Sequence, residues 1–202
     1  MTRLLGEGAP ELEPSGDLAD VVGLLDRYDR ATPDRGPGQT DQLRRMRAFA
    51  AAHPDALHRS CAEGHFTGSA FVVDAAAQRC LLLFHTKLQR WLQPGGHADG
   101  DANLAGVALR EATEETGIEG LLVDPDPLDL DIHEIPAGKD PAHLHLDVRF
   151  LVVAPPDALV VGNHESEDLR WLAPLDVGLL DVDLGLHRLA AEAFARADLP
   201  LG

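Results

Sequence analysis

Cysteine is scarce in this 202-residue sequence, which contains only Cys61 and Cys80 and no CxxC pair. Two cysteines are too few for a disulfide framework, and a reducing compartment is the simplest setting for them. Residues 1–15 lack the apolar stretch of a signal peptide, and no apolar run reaches the length of a membrane span. The sequence therefore predicts a cytoplasmic protein that does not enter the membrane.

Basic residues are also few: 17 Lys and Arg stand against 34 Asp and Glu, which gives a formal net charge of -17. This balance argues against a general nucleic-acid binder and against adhesion to an anionic membrane, because both need a Lys/Arg surface. An acidic protein can still bind an anionic substrate when metal ions neutralise both sides locally. Aromatic residues make up only 4% of the chain, so Leu, Val and Ala must fill most of the core.

The first 60 residues predict a helical extension in front of the main domain, which we place at residues 61–202. Apolar residues recur at helical spacing over residues 17–28 and again over residues 40–52. A Gly/Pro-rich linker at residues 31–38 separates the two helices.

From residue 61 onward, strand-like runs surround one central helix. The predicted strands cover residues 69–74, 79–85, 128–135, 143–153 and 168–172. Helices are predicted for residues 103–116 and 184–197, and a Gly-rich loop for residues 91–100. Strands on either side of a central helix, with more helix at both ends, indicate an α/β layered domain.

The central helix carries a cluster of acidic side chains. Glu111 lies three residues before Glu114 and four before Glu115, so all three carboxylates fall on one side within about two turns. Like charges at this spacing destabilise a helix unless they are neutralised, and Arg110, which can reach Glu114, is a single charge. A bound divalent cation would neutralise the cluster, and its oxygen ligands favour Mg²⁺ or Mn²⁺.

The residues around this cluster suit a fixed site. Apolar side chains on the opposite side of the helix predict that it packs against a core, which would hold the acids in place. Gly117 followed by Ile118 is a typical helix stop. Gly95 and Gly96 allow the backbone to approach a ligand closely and can present a carbonyl oxygen to a metal.

Residues 96–118 resemble the box of the Nudix family: a Gly, a spacer, then Arg-Glu-x-x-Glu-Glu-x-Gly followed by an apolar residue. Gly96 opens the box, and the run from Arg110 to Ile118 completes it in register. The resemblance extends over about residues 65–175. It implies a Nudix-like α/β/α sandwich with a mixed β-sheet, here preceded by the N-terminal helical extension.

One position departs from the family pattern, because Ala102 stands where the family has its first Glu. Asp101 is adjacent, and a shift of one residue in the loop would let it supply the missing carboxylate. Without that shift the start of the helix has one acid fewer, and metal affinity or rate would be reduced.

The resemblance implies a hydrolase that uses Mg²⁺ or Mn²⁺ to cleave the diphosphate bond of a nucleoside diphosphate linked to another moiety. It assigns the metal to Glu111, Glu114, Glu115 and the carbonyl of Gly96. Arg110 would orient the acids, and Glu111 and Glu114 are catalytic candidates.

The general base in this family is a box Glu or an acid on a downstream loop. Glu165 and Glu167 precede the predicted strand at residues 168–172 and fit the downstream position. The alternative is that both are solvated loop acids.

Substrate-binding candidates lie outside the box. His143, His145 and Asp147 alternate along one predicted strand, so their side chains point to the same face and could contact a metal or substrate, or simply form a polar outward face. His97 follows the Gly pair, and Arg90 is a nearby basic residue for phosphate contact.

Two other functions stay open at this point. A Nudix-like domain that binds a nucleotide and regulates a partner is compatible with Ala102, whereas an isomerase of the isopentenyl-diphosphate type needs a Cys in a context that neither Cys61 nor Cys80 has.

The expected partner is a small-molecule nucleoside diphosphate derivative, and the family resemblance suggests a homodimer. The box does not choose between substrates.

Overall fold

The computed structural model describes residues 3–138, 141–164 and 166–197. The helices are, in chain order, α1 (Leu18–Ala31), α2 (Gly36–Ala52), α3 (Leu104–Thr116), α4 (Pro174–Val177) and α5 (Leu184–Ala197). The strands are β1 (Leu5–Gly6), β2 (Gly64–Val73), β3 (Cys80–His85), β4 (Arg90–Leu92), β5 (Gly95–His97), β6 (Leu122–Val123), β7 (Asp129–Ile135), β8 (His143–Val153) and β9 (Ser166–Leu172). Within these ranges no helix is long and apolar enough to cross a bilayer.

The strands form one mixed sheet. Its main path runs β1-β6-β8-β2-β3-β4, with β5 beside β2, β7 beside β8 and β9 beside β3. β2 and β8 are parallel and pair residue for residue, from Gly64 beside Leu144 to Val73 beside Val153. The other pairs are antiparallel, including the predicted hairpin of β2 and β3.

Each face of the sheet packs against its own helices. Along β2 and β8 the even-numbered apolar residues, such as Phe66 and Phe150, join the larger core with α1, α2 and α3. The odd-numbered ones, such as Phe71 and Leu151, join a smaller core with α5. Alternation along the strands therefore produces the predicted α/β/α sandwich.

A glycine in β2 allows the acid-bearing helix to lie directly on the sheet. A Cβ at Gly68 would be 2.6 Å from the carbonyl oxygen of Leu104, so only a residue without a side chain fits there. The face of α3 predicted to be buried is buried: Leu104, Val107, Ala108 and Ala112 are fully enclosed. This close contact fixes α3 relative to β2.

The N-terminal extension packs on the same core. Leu25, Tyr28 and Met46 are buried in the larger cluster, and β1 pairs with β6 at the sheet edge. The amide of Gln39 binds both backbone groups of Leu130 and accepts a hydrogen bond from the Tyr28 hydroxyl. We therefore propose that residues 1–60 are an extension docked on the 61–202 domain rather than an independent unit.

Several element boundaries differ from the sequence prediction. α2 begins at Gly36 instead of residue 40, because Pro37 at the start of a helix is pre-organised and the residues assigned to the linker become its first turn. β2 begins at Gly64 instead of residue 69, because pairing with β8 buries its polar first half. The predicted loop at residues 91–100 contains β5 and part of β4, since Gly95 to His97 pair with β2.

A buried charge network ties β7, β8 and α5 together. Arg149 is 5% exposed at its side chain and binds Asp147 at 2.8 Å, Asp131 at 3.0 Å and Asp129 at 3.3 Å. Arg188 of α5 also binds Asp129, at 2.7 Å. Burial alone would raise the pKa of Asp131, but the hydrogen bond with His133 and the Arg charges lower that pKa to about 2. Burial raises the pKa of Asp129 even though both arginines bind it. The network therefore joins three carboxylates of β7 and β8 to two arginines, one of them on α5.

Replacing Arg149 with Met should destabilise the protein by about 3–5 kcal/mol, because buried carboxylates would lose their main partner. The control is Arg170→Met, which removes an exposed ion pair with Asp168 and should cost less than about 1 kcal/mol. Urea unfolding monitored by circular dichroism measures both. Equal effects of the two substitutions would show that the buried network does not stabilise the fold.

Candidate active site

Local signals at both ends determine the extent of α3. The Asn103 side chain accepts a hydrogen bond from the Gly106 amide at 3.2 Å and caps the first turn. Gly117 ends the helix in the left-handed conformation, with φ of 68°, and Ile118 is buried behind it. The predicted helix stop is confirmed, so the acids between these caps have fixed positions.

Two of the box acids face the glycine pair on β5. Glu115 is buried, and its carboxylate accepts a hydrogen bond from the Gly95 amide at 3.0 Å. The Glu111 carboxyl group lies directly over Gly96, where any Cβ would overlap it. Glu114 is exposed and lines a groove beside the N-terminal residues Leu12 and Pro14. The cluster therefore divides into an inner pair, Glu111 and Glu115, and an outer acid, Glu114.

Arg110 lies between Asp101 and Glu111. Its Nη1 is 3.6 Å from Asp101 Oδ2, and its Nε is 3.9 Å from Glu111 Oε1. Among the described residues it forms no ion pair with Glu114, which was the other partner in reach. This position agrees with a role for Arg110 in orienting Glu111.

Asp101 anchors the N-terminal segment. Its Oδ1 accepts hydrogen bonds from the Asn103 amide at 2.9 Å and from the Ser15 amide at 3.1 Å. Ala102 is 2% exposed, and its amide donates to the Ser15 carbonyl at 2.6 Å. A Glu at position 102 would begin inside this packed contact, so Ala102 has a packing role at the position where the family has its first Glu.

The structure describes only one of the two downstream acids, Glu165 and Glu167. Glu165 lies outside the described residues. Glu167 is exposed on β9 and accepts a hydrogen bond from Gln89 at 2.7 Å. The preceding loop closes over the end of α3, where the amides of Val161 and Gly162 donate to the Thr116 carbonyl at 3.0 and 3.1 Å.

The side chain of Asn163 donates to the Glu114 carbonyl at 3.3 Å, on the same loop. The loop that precedes Glu165 therefore lies beside the acid-bearing helix. The roles of Glu165 and Glu167 as general base stay predictions.

Five histidines collect on the sheet at the end that α5 does not cover. We call this group the histidine cluster; it consists of His65, His97, His133, His143 and His145. Ring centroids of neighbouring members lie 4.9 to 5.4 Å apart. Sequence analysis singled out His97, His143 and His145 but missed His65 and His133, because their proximity depends on the β2–β8 and β7–β8 registers.

Three members of the histidine cluster, His65, His97 and His145, have pKa values below the ordinary value of histidine. Burial and neighbouring His and Arg charges lower the pKa of His65 to about 4. Burial and the four other histidines lower the pKa of His145 to about 2, and burial lowers that of His97. Neutral imidazole offers a lone pair to a ligand or metal.

Asp147 and Arg90 lie in contrasting surroundings. Asp147 is 2% exposed, and it accepts hydrogen bonds from Thr67 at 2.9 Å, Ser69 at 2.8 Å and Arg149 at 2.8 Å. This gives it a structural role in the buried network. Arg90 is exposed on β4, opposite His85. Contact of either residue with substrate stays a prediction.

The inner acids and the histidine cluster lie on opposite sides of β5. Gly96 faces α3 and Glu111, whereas His97 faces the other side of the sheet, where its ring contacts His65 and His145. Gly95 joins the two regions, because its amide binds Glu115 and a Cβ there would overlap Ser69. The strand β5 therefore lies between the carboxylate site on one face of the sheet and the histidine cluster on the other.

The fold is shared with solved structures of low sequence identity. A C. elegans Ap4A hydrolase in a binary complex is 19% identical with a TM-score of 0.55, covering 66% of this chain and 97% of that one. The NUDIX domain of Shewanella oneidensis NrtR, complexed with ADP ribose, is 19% identical with a TM-score of 0.52, covering 74% and 97%. The E. coli dihydroneopterin triphosphate pyrophosphohydrolase is 15% identical with a TM-score of 0.51, covering 65% and 95%.

These likenesses show the fold that the chain shares with them. The family model of the NUDIX domain matches residues 65–194, which is more than half of the chain. The protein therefore belongs to the NUDIX domain family and is a Nudix hydrolase, an enzyme that acts on phosphorus-containing acid anhydrides. No curated protein matches the sequence.

Asp101→Ala should destabilise the protein by about 1–3 kcal/mol, because two backbone amides lose their acceptor. Asp101→Asn keeps an acceptor oxygen and should retain most of that stability. Urea unfolding measures the difference, and isothermal titration with Mg²⁺ should give similar affinities for both variants and the parent protein. A drop in Mg²⁺ affinity in both variants, without loss of stability, would instead identify Asp101 as a metal ligand.

Gly96→Ala should reduce kcat/KM by about 100-fold, because the new Cβ displaces the Glu111 carboxylate and small displacements of catalytic groups have effects of this size. Stability should change by less than about 1 kcal/mol, since the displaced atoms end a flexible side chain. Gly138→Ala is the control, because nothing lies within 4 Å of a Cβ there. Full activity of Gly96→Ala would show that the Glu111 position is unimportant.

Proposed function

We propose that this protein hydrolyses the diphosphate bond of a nucleoside diphosphate linked to another moiety, with Mg²⁺ or Mn²⁺ as its cofactor. The observation that carries the proposal is the pair of carboxylates, Glu111 and Glu115, held against the backbone of Gly95 and Gly96. A buried carboxylate on a rigid helix, next to a second one and to open backbone, is an arrangement suited to a hard divalent cation.

The residues present fit such a cation. Glu111, Glu115 and the Gly96 carbonyl would hold it, with the exposed Glu114 as a further predicted ligand on the outer side. All of these ligand atoms are oxygens, which Mg²⁺ and Mn²⁺ prefer. When bound, the cation supplies neutralisation of diphosphate charge and activation of water. Without a neutralising charge, a diphosphate would be repelled from a protein with a formal net charge of -17.

The protein's own groups prepare the site. The hydrogen bond from the Gly95 amide to Glu115 fixes one carboxylate, and Arg110 beside Glu111 restrains the other. The absence of a side chain at Gly96 leaves room for Glu111 and for substrate oxygens. For the general base we propose a box Glu or Glu165, which accepts the proton from the attacking water.

Substrate contacts would come from the other side of β5. His97 directly follows Gly96, and His145 lies against it, so both are candidates to bind the part of the substrate beyond the diphosphate. Arg90 remains the candidate for phosphate contact from β4.

We also propose a homodimer, which the exposed leucines Leu175, Leu179 and Leu184 around α4 and α5 would support.

The two alternative functions lose their support. Ala102 favoured a regulatory binding domain, but its burial beneath Ser15 gives a packing reason for the missing Glu. An isomerase of the isopentenyl-diphosphate type needs a reactive Cys. Cys61 and Cys80 are both buried, and burial raises the pKa of Cys80 to about 12.

A panel of diphosphates should contain at least one compound that the protein hydrolyses with Mg²⁺ or Mn²⁺. Ap4A and ADP-ribose belong on it because proteins of similar fold act on or bind them, together with nucleoside triphosphates, NAD(H), sugar nucleotides and coenzyme A.

Glu115→Gln should lower kcat/KM by about 100-fold or more while keeping the fold, because the amide oxygen can still accept from Gly95.

The matched control is Glu119→Gln, which changes an exposed acid beyond the end of α3 and should leave kcat/KM unchanged. Phosphate release and chromatography of the products measure the reaction. If no compound is hydrolysed with either metal, the nucleotide-binding role moves ahead. If Glu115→Gln keeps full activity, the metal assignment is wrong.

A further inference from the structure

Three members of the histidine cluster bring their ring nitrogens together. One nitrogen from each of His65, His143 and His145 lies within 4.8 Å of the other two. The arrangement is a product of the fold, because the β2–β8 register sets His65 beside His145, and His143 precedes His145 by one strand repeat. Two residues of β8 and one of β2 therefore converge on one point above the sheet.

Three buried ring nitrogens of this group lack a hydrogen-bond partner among the described residues. His65 is 3% exposed, and neither Nδ1 nor Nε2 of its ring has a partner among the described residues. The Nε2 atom of His145 is also buried and unpartnered there. Buried polar atoms in folded proteins are nearly always paired, so such a group requires an explanation.

Two rings at the rim are already oriented by the backbone or by a carboxylate. His143 Nδ1 lies 2.8 Å from the Pro141 carbonyl, and His133 Nδ1 lies 3.1 Å from Asp131 Oδ2. A ring whose Nδ1–H donates in this way keeps the lone pair on Nε2. This is the outer contact that metal-binding histidines usually make.

We propose that His65, His143 and His145 form a binding site for a divalent transition-metal ion of the Zn²⁺ type. Three neutral imidazoles suit Zn²⁺ and its neighbours in the first row, whereas Mg²⁺ prefers oxygen ligands. His97 lies beside these three rings, with ring centroids 4.9 Å from those of His65 and His145, but its nitrogens are not part of the converging group. A bound ion would give one nitrogen of each ring a partner, including one of the two unpartnered nitrogens of His65.

The site is separate from the carboxylate site on α3, and it makes His145 a metal ligand in place of the substrate contact considered for it above. The three histidines lie on the face of the sheet opposite α3, and β5 lies between the two regions. The ligand chemistry also differs, since one set consists of imidazole nitrogens and the other of oxygens. The protein would thus hold a hard cation on one side of β5 and a borderline one on the other, and the second site stands whether or not the proposed hydrolysis is correct.

Cobalt is the probe that distinguishes the two sites. The full chain, freed of metal by a chelator, is titrated with Co²⁺ in excess Mg²⁺ and followed by visible absorption. We expect one Co²⁺ per chain with the d–d bands of nitrogen ligation, displaced by one equivalent of Zn²⁺. Zn²⁺ at a hundredfold excess over its Kd should also raise Tm by about 5 °C or more.

Variants assign the ligands. His145→Ala and His143→Ala should each weaken Co²⁺ binding by about 100-fold or more and abolish the Zn²⁺ shift in Tm. His143 is only half-buried, so its substitution reports on binding even if variants of His65 or His145 do not fold. Cys61→Ala serves as the control, because Cys61 forms a second group of metal-type ligands with His53 and Asp55.

Unchanged Co²⁺ bands in His143→Ala and His145→Ala would overturn the proposal. Loss of the bands in Cys61→Ala or in Glu115→Gln would overturn it as well, by placing the ion elsewhere. Retention of the bands in those two variants, with loss in the histidine variants, supports it.

Discussion

The parallel pairing of β2 with β8 is the constraint on which both regions of this protein depend. Because side chains alternate along a strand, a slip of one residue would exchange every inward and outward side chain. The observed register keeps Gly68 under α3 and Phe71 under α5, and it places His65 beside His145. Buried apolar residues on both faces enforce this register, so the polar half of the strands is positioned by the apolar half.

β5 contacts both the acid-bearing helix and the histidine cluster. It is only three residues long, yet it contacts the acid-bearing helix through Gly95 and Gly96 and the histidine cluster through His97. The glycines matter for different reasons: one leaves space for a carboxyl group and the other for a serine on the neighbouring strand. A short strand with small residues can therefore contact both regions while leaving space for the side chains of each.

Much of the architecture follows from local sequence signals. α3 was predicted within one residue because Asn103 and Gly117 mark its ends, and β8 and α5 were predicted with their observed bounds because their apolar periodicity is strong. The first half of β2 and all of β5 were not, since Gly, His and Thr carry weak strand signals and become strand only by pairing.

The candidate site shows the same limit. The identity of the box acids follows from spacing, and the glycine pair was predicted to approach a ligand rather than the acids themselves. The division between the inner pair and Glu114, the partner of Asp101 and the membership of His65 and His133 in one cluster depend on contacts between residues far apart in the chain. No local pattern contains that information.

The contact of Ser15 with Asp101 and Ala102 has a consequence for how this chain could change over generations. The extension and the box depend on each other: Ala102 of the box packs where Ser15 binds, and the extension takes its anchor from the loop before α3. Neither part could be exchanged alone with that of a relative without leaving a misfit. Recombination would therefore have to inherit the two segments together, as one hereditary unit.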